Sequence, residues 1–200
     1  MDDYKGPIEK FVLLGDTNTG KTVTLTGIRG DLNTNTINTI GAAFTTKWFY
    51  VDRMFVKAQF WDTAGVERYR SLLPMYYRGA NATIFFYSVN KKESFQLLDR
   101  LVNEVKNMTQ NGNYMKYIIC GTRINLTSLR VVSINEAKKF AEENGCVYVE
   151  IGEQVDSLTN ILRKTEIPQN KNVLLWVTSI CKSMDQSNAK PTNYYFALEL

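Results

Sequence analysis

Short apolar runs alternate along this chain with longer stretches in which apolar residues return every three or four positions. The segment "EKFVLLGD" is an apolar run that stops at glycine, and "KWFYVDRMFVKAQFWD" reads as two strands joined by a tight "VDR" turn, which predicts a hairpin. Further buried strands are predicted at "ATIFFYSV", "KYIICGT" and "CVYVEI". Between them, "ESFQLLDRLVNEVKNM" and "SINEAKKFAEENG" carry helical spacing. The second of these has Ser133 as N-cap, Glu136 three residues on for a capping box, and Gly145 as a C-terminal stop.

Strands alternating with helices predict a mostly parallel sheet covered on both faces, with ligands at the carboxyl ends of the strands. From Gly152 to Lys171 the pattern turns polar and includes Pro168, after which "NVLLWVTSICKSM" resumes apolar spacing as a closing helix. The last stretch, "DQSNAKPTNYYFALEL", begins as a polar linker and ends apolar. No internal repeat is present in the sequence.

Composition narrows the function classes. A chain of 200 residues is one domain, or one domain with a tail, long enough to bury about 70% of its unfolded surface. Its 44% hydrophobic and 22% charged residues are ordinary globular values. The net charge of +4 is spread among acidic residues, so nucleic-acid binding gains no support. No apolar run approaches the ~18 residues of a membrane span, and "MDDYKGPIEK" lacks a signal-peptide pattern, so a cytoplasmic location is expected. Three cysteines, Cys120, Cys146 and Cys181, and no histidine exclude a His/Cys zinc site. Buried free thiols are expected, and the alternative Cys120 to Cys146 disulfide is disfavoured by cytosolic redox poise.

The chemistry-bearing motif is "GDTNTGKT", Gly15 to Thr22, which matches G-x-x-x-x-G-K-[ST] directly after a strand. Gly15 and Gly20 let the backbone turn its N–H groups inward around a β-phosphate, with Asp16, Thr17, Asn18 and Thr19 forming the loop between them. Lys21 places a charge on the β- and γ-phosphates, Thr22 offers a hydroxyl to Mg²⁺, and Val23 completes the nucleotide-binding run. This loop reads phosphates and does not distinguish ATP from GTP.

After the hairpin, "WDTAG" (Trp61 to Gly65) puts Asp62 where it reaches Mg²⁺ through water and the Gly65 N–H where it meets a γ-phosphate. With "TIGAAF" (Thr39 to Phe44) and "MYYRGANATIFFY" (Met75 to Tyr87), the chain closely resembles the Rab GTPases of the Ras superfamily, nearest the early-endosomal branch, over about Ile8 to Glu150 and the helix from Asn172 to Met184. The resemblance implies a P-loop small G-domain: an α/β fold with a mostly parallel six-stranded sheet, one antiparallel edge strand and helices on both faces. It implies GTP/GDP and Mg²⁺ as ligands and a slow GTP-hydrolysing switch in vesicle traffic. Thr39 would coordinate Mg²⁺ and the γ-phosphate, joining Lys21 and Gly65 in the catalytic machinery. Phe44, Trp61 and Tyr76 fall where Rabs present an aromatic trio to effectors; plain sheet packing is the alternative for all three. An exchange factor and a GTPase-activating protein are further implied partners.

Several positions depart from the family. Val66 stands where a glutamine orients the attacking water, which predicts intrinsic hydrolysis slower by about one to two orders of magnitude. The N-K-x-D loop reads Thr122-Arg123-Ile124-Asn125. The family aspartate accepts two hydrogen bonds from guanine; Asn125 offers one acceptor and a clashing donor, a loss of ~10- to 100-fold in GTP affinity. An amide there suits xanthine better. Arg123 is expected to lay its stem over the purine, and the Thr122 hydroxyl to replace part of the family's amide. The S-A-K loop falls at Gly152-Glu153-Gln154 and is also changed, followed by an extra segment, 155–171. Phosphate and Mg²⁺ contacts are therefore expected to supply most of the affinity.

Residues 1–184 read as the G domain and 185–200 as a linker or tail. Prenylated C-terminal cysteines are usual in Rabs, whereas this sequence ends "NYYFALEL", with Cys181 inside the closing helix. The expectation is no prenyl anchor in this chain. The tail is either a plain terminal segment or the start of a second G domain, as in protozoan tandem Rab-like GTPases. Two rivals stand beside the switch reading: a pseudo-GTPase interaction module working through Phe44, Trp61 and Tyr76, and an enzyme for another triphosphate.

Overall fold

The computed structural model describes residues 8–29, 42–51, 54–63, 73–109 and 115–151. Six strands form one sheet: β1 (Ile8–Gly15), β2 (Ala42–Val51), β3 (Met54–Thr63), β4 (Ala82–Ser88), β5 (Lys116–Thr122) and β6 (Val147–Ile151). Their spatial order is β2-β3-β1-β4-β5-β6, and every pairing is parallel except β2 with β3. The predicted fold class, mostly parallel with one antiparallel edge strand, is the one observed. The hairpin also stands as predicted: Val51 pairs with Met54 across the turn.

The central strands are continuous apolar runs because both of their faces are covered. Every residue of β4 is buried, as is the second half of β1. Successive side chains point to opposite faces, so Val12, Leu14, Phe85, Tyr87 and Ile119 enter one core and Phe11, Leu13, Ile84, Phe86 and Ile118 the other. The first core is closed by helix α3, which the chain order places after the helices α1 (Lys21–Arg29) and α2 (Leu73–Tyr77); α3 spans Lys92–Thr109 and contributes Leu98, Leu101, Val102 and Val105. Helix α4 (Ile134–Glu143) adds Ala137 and Ala141 to that core. Leu25 of α1 packs in the second core, so helices lie on both faces.

Local capping follows the sequence closely. Ser133 caps α4 by accepting the Glu136 N–H at 3.1 Å. Glu136 does not complete the reciprocal half of the box; its carboxylate meets Lys92 of α3 instead, because a charged partner on a neighbouring helix outcompetes a backbone N–H. At the other end Gly145 has φ +58, its N–H reaching Glu142 O and the Cys146 N–H reaching Ala141 O, a complete Schellman ending. Cys120 and Cys146 are both buried free thiols. Burial pushes the Cys146 thiol up to about 11 and Cys120 higher still, so neither is a reactive thiolate. Cys181, the closing helix, the 155–171 segment and the tail lie outside the described residues.

Candidate nucleotide site

The carboxyl ends of β1, β3, β4, β5 and β6 form one rim, and the sequence motifs sit along it. The loop after β1 occupies the point where the order reverses from β3 on one side to β4 on the other, the usual ligand crevice of such sheets. Gly15 is obligatory by space as well as torsion: at φ +150 its Cβ would lie 2.3 Å from Phe86 O. Gly20 has φ +85 and Asn18 φ 62, and asparagine is among the few residues that adopt that conformation readily. The loop is closed by Thr19 Oγ1 donating to Asp16 O at 2.8 Å and by the Thr17 N–H donating to Asp16 Oδ1 at 2.7 Å.

Lys21 is buried and its Nζ donates to Gly15 O at 2.9 Å and Asp16 O at 2.8 Å. An ammonium has three protons, so one remains for an anion seated in the loop. Burial pushes Lys21 down to about 8, opposed by the nearby carboxylates of Asp62 and Asp16. A polyanion would relieve that desolvation directly. Thr22, the next residue on α1, donates its hydroxyl to Asp62 Oδ2 at 2.6 Å. Asp62 is fully buried at the end of β3, and Thr63 beside it ties β3 to β1 through Leu13 O at 2.7 Å. A hydroxyl and a carboxylate held together are hard oxygen donors suited to Mg²⁺, which takes few protein ligands and keeps waters and phosphate oxygens. The donor set fits that ion; no denser group of metal-ligating side chains occurs among the described residues.

The base side of the rim is built differently. Thr122 closes β5 with its side chain buried, and its hydroxyl faces Thr19 O at 3.0 Å and Tyr87 O at 3.1 Å. Arg123, at φ 63, donates from its guanidinium to Asn18 O at 2.9 Å, which ties this loop to the phosphate loop. Asn125 is exposed in the following turn, which the Leu126 N–H closes onto Arg123 O at 3.0 Å.

Three braces were not visible in the sequence. Lys91 Nζ meets Asp16 Oδ2 at 2.7 Å, tying the β4–α3 connection to the phosphate loop. Arg130, just beyond the base loop, grips Glu150 of β6 in a two-pronged pair at 2.8 and 2.9 Å. Glu150 also accepts from Tyr148, whose hydroxyl lies 3.2 Å from that of Tyr87. Gly121 exists to admit that tyrosine, since a Cβ there would lie 2.8 Å from the Tyr87 hydroxyl.

On the surface beyond β3, the rings of Phe44 and Trp61 lie 5.0 Å apart and those of Trp61 and Tyr76 6.0 Å apart. Phe44 is 52% exposed, whereas Trp61 and Tyr76 pack partly against the core. Lys10 Nζ sits 4.9 Å over the Trp61 ring. The trio is thus contiguous and open at Phe44. Thr39, Gly65, Val66, Glu153 and Gln154 lie outside the described residues.

Comparison with known proteins converges on one family. The sequence model of the Ras family matches residues 10–163. A putative ras-related protein Rab-5B of Dictyostelium discoideum is 39% identical over 175 residues, which cover 88% of this chain and 74% of that protein. The ras-related proteins RABA1g and RABA1f of Arabidopsis thaliana are 37% and 36% identical over 150 residues, covering 74% of this chain and 68% of each.

Proposed function

From the premise that this chain belongs to the Ras family, as a Rab-like small GTP-binding protein of vesicle traffic with GTP/GDP and Mg²⁺ as its ligands, we propose that it is a slow GTPase switch whose nucleotide affinity comes mainly from phosphate contacts. The observation that carries this reading is the joined pair Thr22 and Asp62, at 2.6 Å, beside buried Lys21. That arrangement supports phosphate and metal binding without any help from the base loop. Thr22 and Asp62 would hold Mg²⁺, which would supply charge neutralisation for the phosphates.

The chain's own residues have distinct tasks. Gly15 and Gly20 shape the loop, and Lys21 brings a positive charge to the transferring phosphate. Thr39 and Gly65 sense the γ-phosphate, and Val66, lacking any group that could hold a water, leaves the attacking water poorly oriented. Asn125 weakens guanine recognition and favours a base with an acceptor at position 2. Glu153 and Gln154 brace the base less well than the family's loop. Effectors dock on Phe44, Trp61 and Tyr76, with an exchange factor and a GTPase-activating protein acting at the switches. The protein works in the cytoplasm and peripherally on endosomal or other vesicle membranes; among the described residues no helix is long and apolar enough to cross one.

The test is direct. Freshly purified protein is denatured and any released nucleotide identified by anion-exchange chromatography. Near-stoichiometric GDP or GTP is expected, with GTP itself supporting slow turnover. An empty protein that also ignores added GTP would overturn the reading in favour of the interaction module built on the aromatic trio. Competition among GTP, ATP and XTP separates the guanine reading from an enzyme for another triphosphate.

A further inference from the structure

Thr122 stands at a position assigned to base recognition by family resemblance, yet its surroundings are those of a wedge. Its side chain is buried, 1% exposed, between the end of β4 and the phosphate loop. The hydroxyl has one proton and two carbonyl neighbours, Thr19 O at 3.0 Å and Tyr87 O at 3.1 Å. Its methyl lies 3.4 Å from where a Cβ on Gly20 would stand. Since a hydroxyl donates once, its single proton serves these carbonyls, and no donor is left to read a purine edge.

The orientation of the Thr19–Gly20 peptide follows from this contact. A trans peptide points its C=O and N–H in opposite directions. Drawing the Thr19 carbonyl toward β5 therefore turns the Gly20 N–H the other way, into the loop where a phosphate oxygen would sit. An asparagine N–H₂ has two protons, so it could hold the loop with one and offer the other to a purine edge; a threonine hydroxyl, with one, can do only the first.

We propose that Thr122 is a positioning residue for the phosphate loop, so that anion binding depends on it and purine choice does not. This rests on the phosphate-dominated reading given above. The hydroxyl holds the Thr19–Gly20 peptide in its binding orientation, and the role of this position in base selection is lost.

The experiment compares Thr122→Val, which keeps shape and removes the hydroxyl, with Thr122→Ser, which keeps the hydroxyl. Affinities for GDP, ADP and inorganic pyrophosphate are measured by calorimetry with Mg²⁺ present. Thr122→Val should weaken all three by a common factor of about ten, the consequence of removing the side-chain donor that holds the Thr19 carbonyl, with the GDP to ADP ratio unchanged. Thr122→Ser should stay within about twofold of the parent. A loss confined to GDP, with pyrophosphate untouched, would overturn the proposal. If the parent protein binds none of the three probes, the phosphate-dominated reading fails on its own. Amide hydrogen exchange then tests Thr122: faster exchange at Gly20 and Lys21 in Thr122→Val than in Thr122→Ser upholds it, and equal rates reject it. Thr122→Ala serves in the same comparisons if the valine variant does not fold.

Discussion

Arg130→Met should destabilise the fold far more than its surface position suggests. The guanidinium holds both oxygens of Glu150, at 2.8 and 2.9 Å, and donates to Val132 O at 3.2 Å. The side chains keep only 20% and 10% of their exposure. Removing one partner of a buried pair costs ~3–5 kcal/mol because a charge is stranded. Here the figure is reduced, since Arg130 is not fully desolvated and Tyr148 still donates to Glu150. A loss of about 2–3 kcal/mol is therefore expected.

Urea unfolding at neutral pH measures it. With a denaturant slope of about 2 kcal/mol/M, the midpoint should fall by about 1–1.5 M. Glu150→Gln and the double variant complete a cycle, in which the two losses should fail to add by more than ~1 kcal/mol. Lys139→Met supplies the contrast: its pair with Glu143 is 3.9 Å long and 77% and 62% exposed, so its loss should be below ~0.5 kcal/mol. An Arg130→Met midpoint no lower than that of Lys139→Met, or an additive cycle, would refute the claim that this pair ties the base loop to β6.

Asn125→Asp should strengthen GDP and weaken XDP, shifting their ratio by at least ~10-fold; the lower end of the charged-bond range applies because the turn is exposed, and an unchanged ratio in a competition assay would count against guanine misreading. Val66→Gln should raise the single-turnover hydrolysis rate by about one to two orders of magnitude, and an unaltered rate would sink the account of slow turnover. Gly121→Ala should cost about 1–3 kcal/mol in thermal or urea unfolding, because its Cβ would lie 2.8 Å from the Tyr87 hydroxyl. Tyr87→Phe in the same chain should recover part of that loss, and a Gly121→Ala variant as stable as the parent would show that the tyrosine simply moves aside.

How much of this was legible beforehand depended on sequence distance. The central strands were readable because burial on both faces demands unbroken apolar runs, and the phosphate loop because its parts are contiguous from Gly15 to Thr22. The caps of α4 were readable for the same local reason, although the capping box proved half made once Lys92 took Glu136. The braces were not readable. Lys91 and Asp16 lie 75 residues apart, and Thr122 and Thr19 lie 103 apart. Only the parallel register, which sets Ser88 beside Thr122 and Thr122 beside Ile151, brings such residues to one rim. The contacts of Thr122 were hidden for a related reason: its residue type gives a hydroxyl but not the two carbonyls beside it.

The asymmetry between an intact phosphate side and an altered base side has a physical basis in what each uses to recognise its ligand. The phosphate loop reads anions chiefly with main-chain N–H groups and the helix terminus, so side chains such as Asp16 and Asn18 can vary provided the backbone keeps its course. That course is held from several directions at once, by Thr19 on Asp16, by Arg123 on Asn18, by Lys91 on Asp16 and by Thr122 on Thr19. Base selection rests on individual side chains with fixed donor and acceptor patterns, so an asparagine such as Asn125, standing where the family has aspartate, would forfeit a specific contact that the backbone cannot replace. Two of the changed base-loop residues, Thr122 and Arg123, have side chains bonded to the phosphate loop. Substitutions at these positions that would loosen purine choice can therefore leave phosphate binding standing.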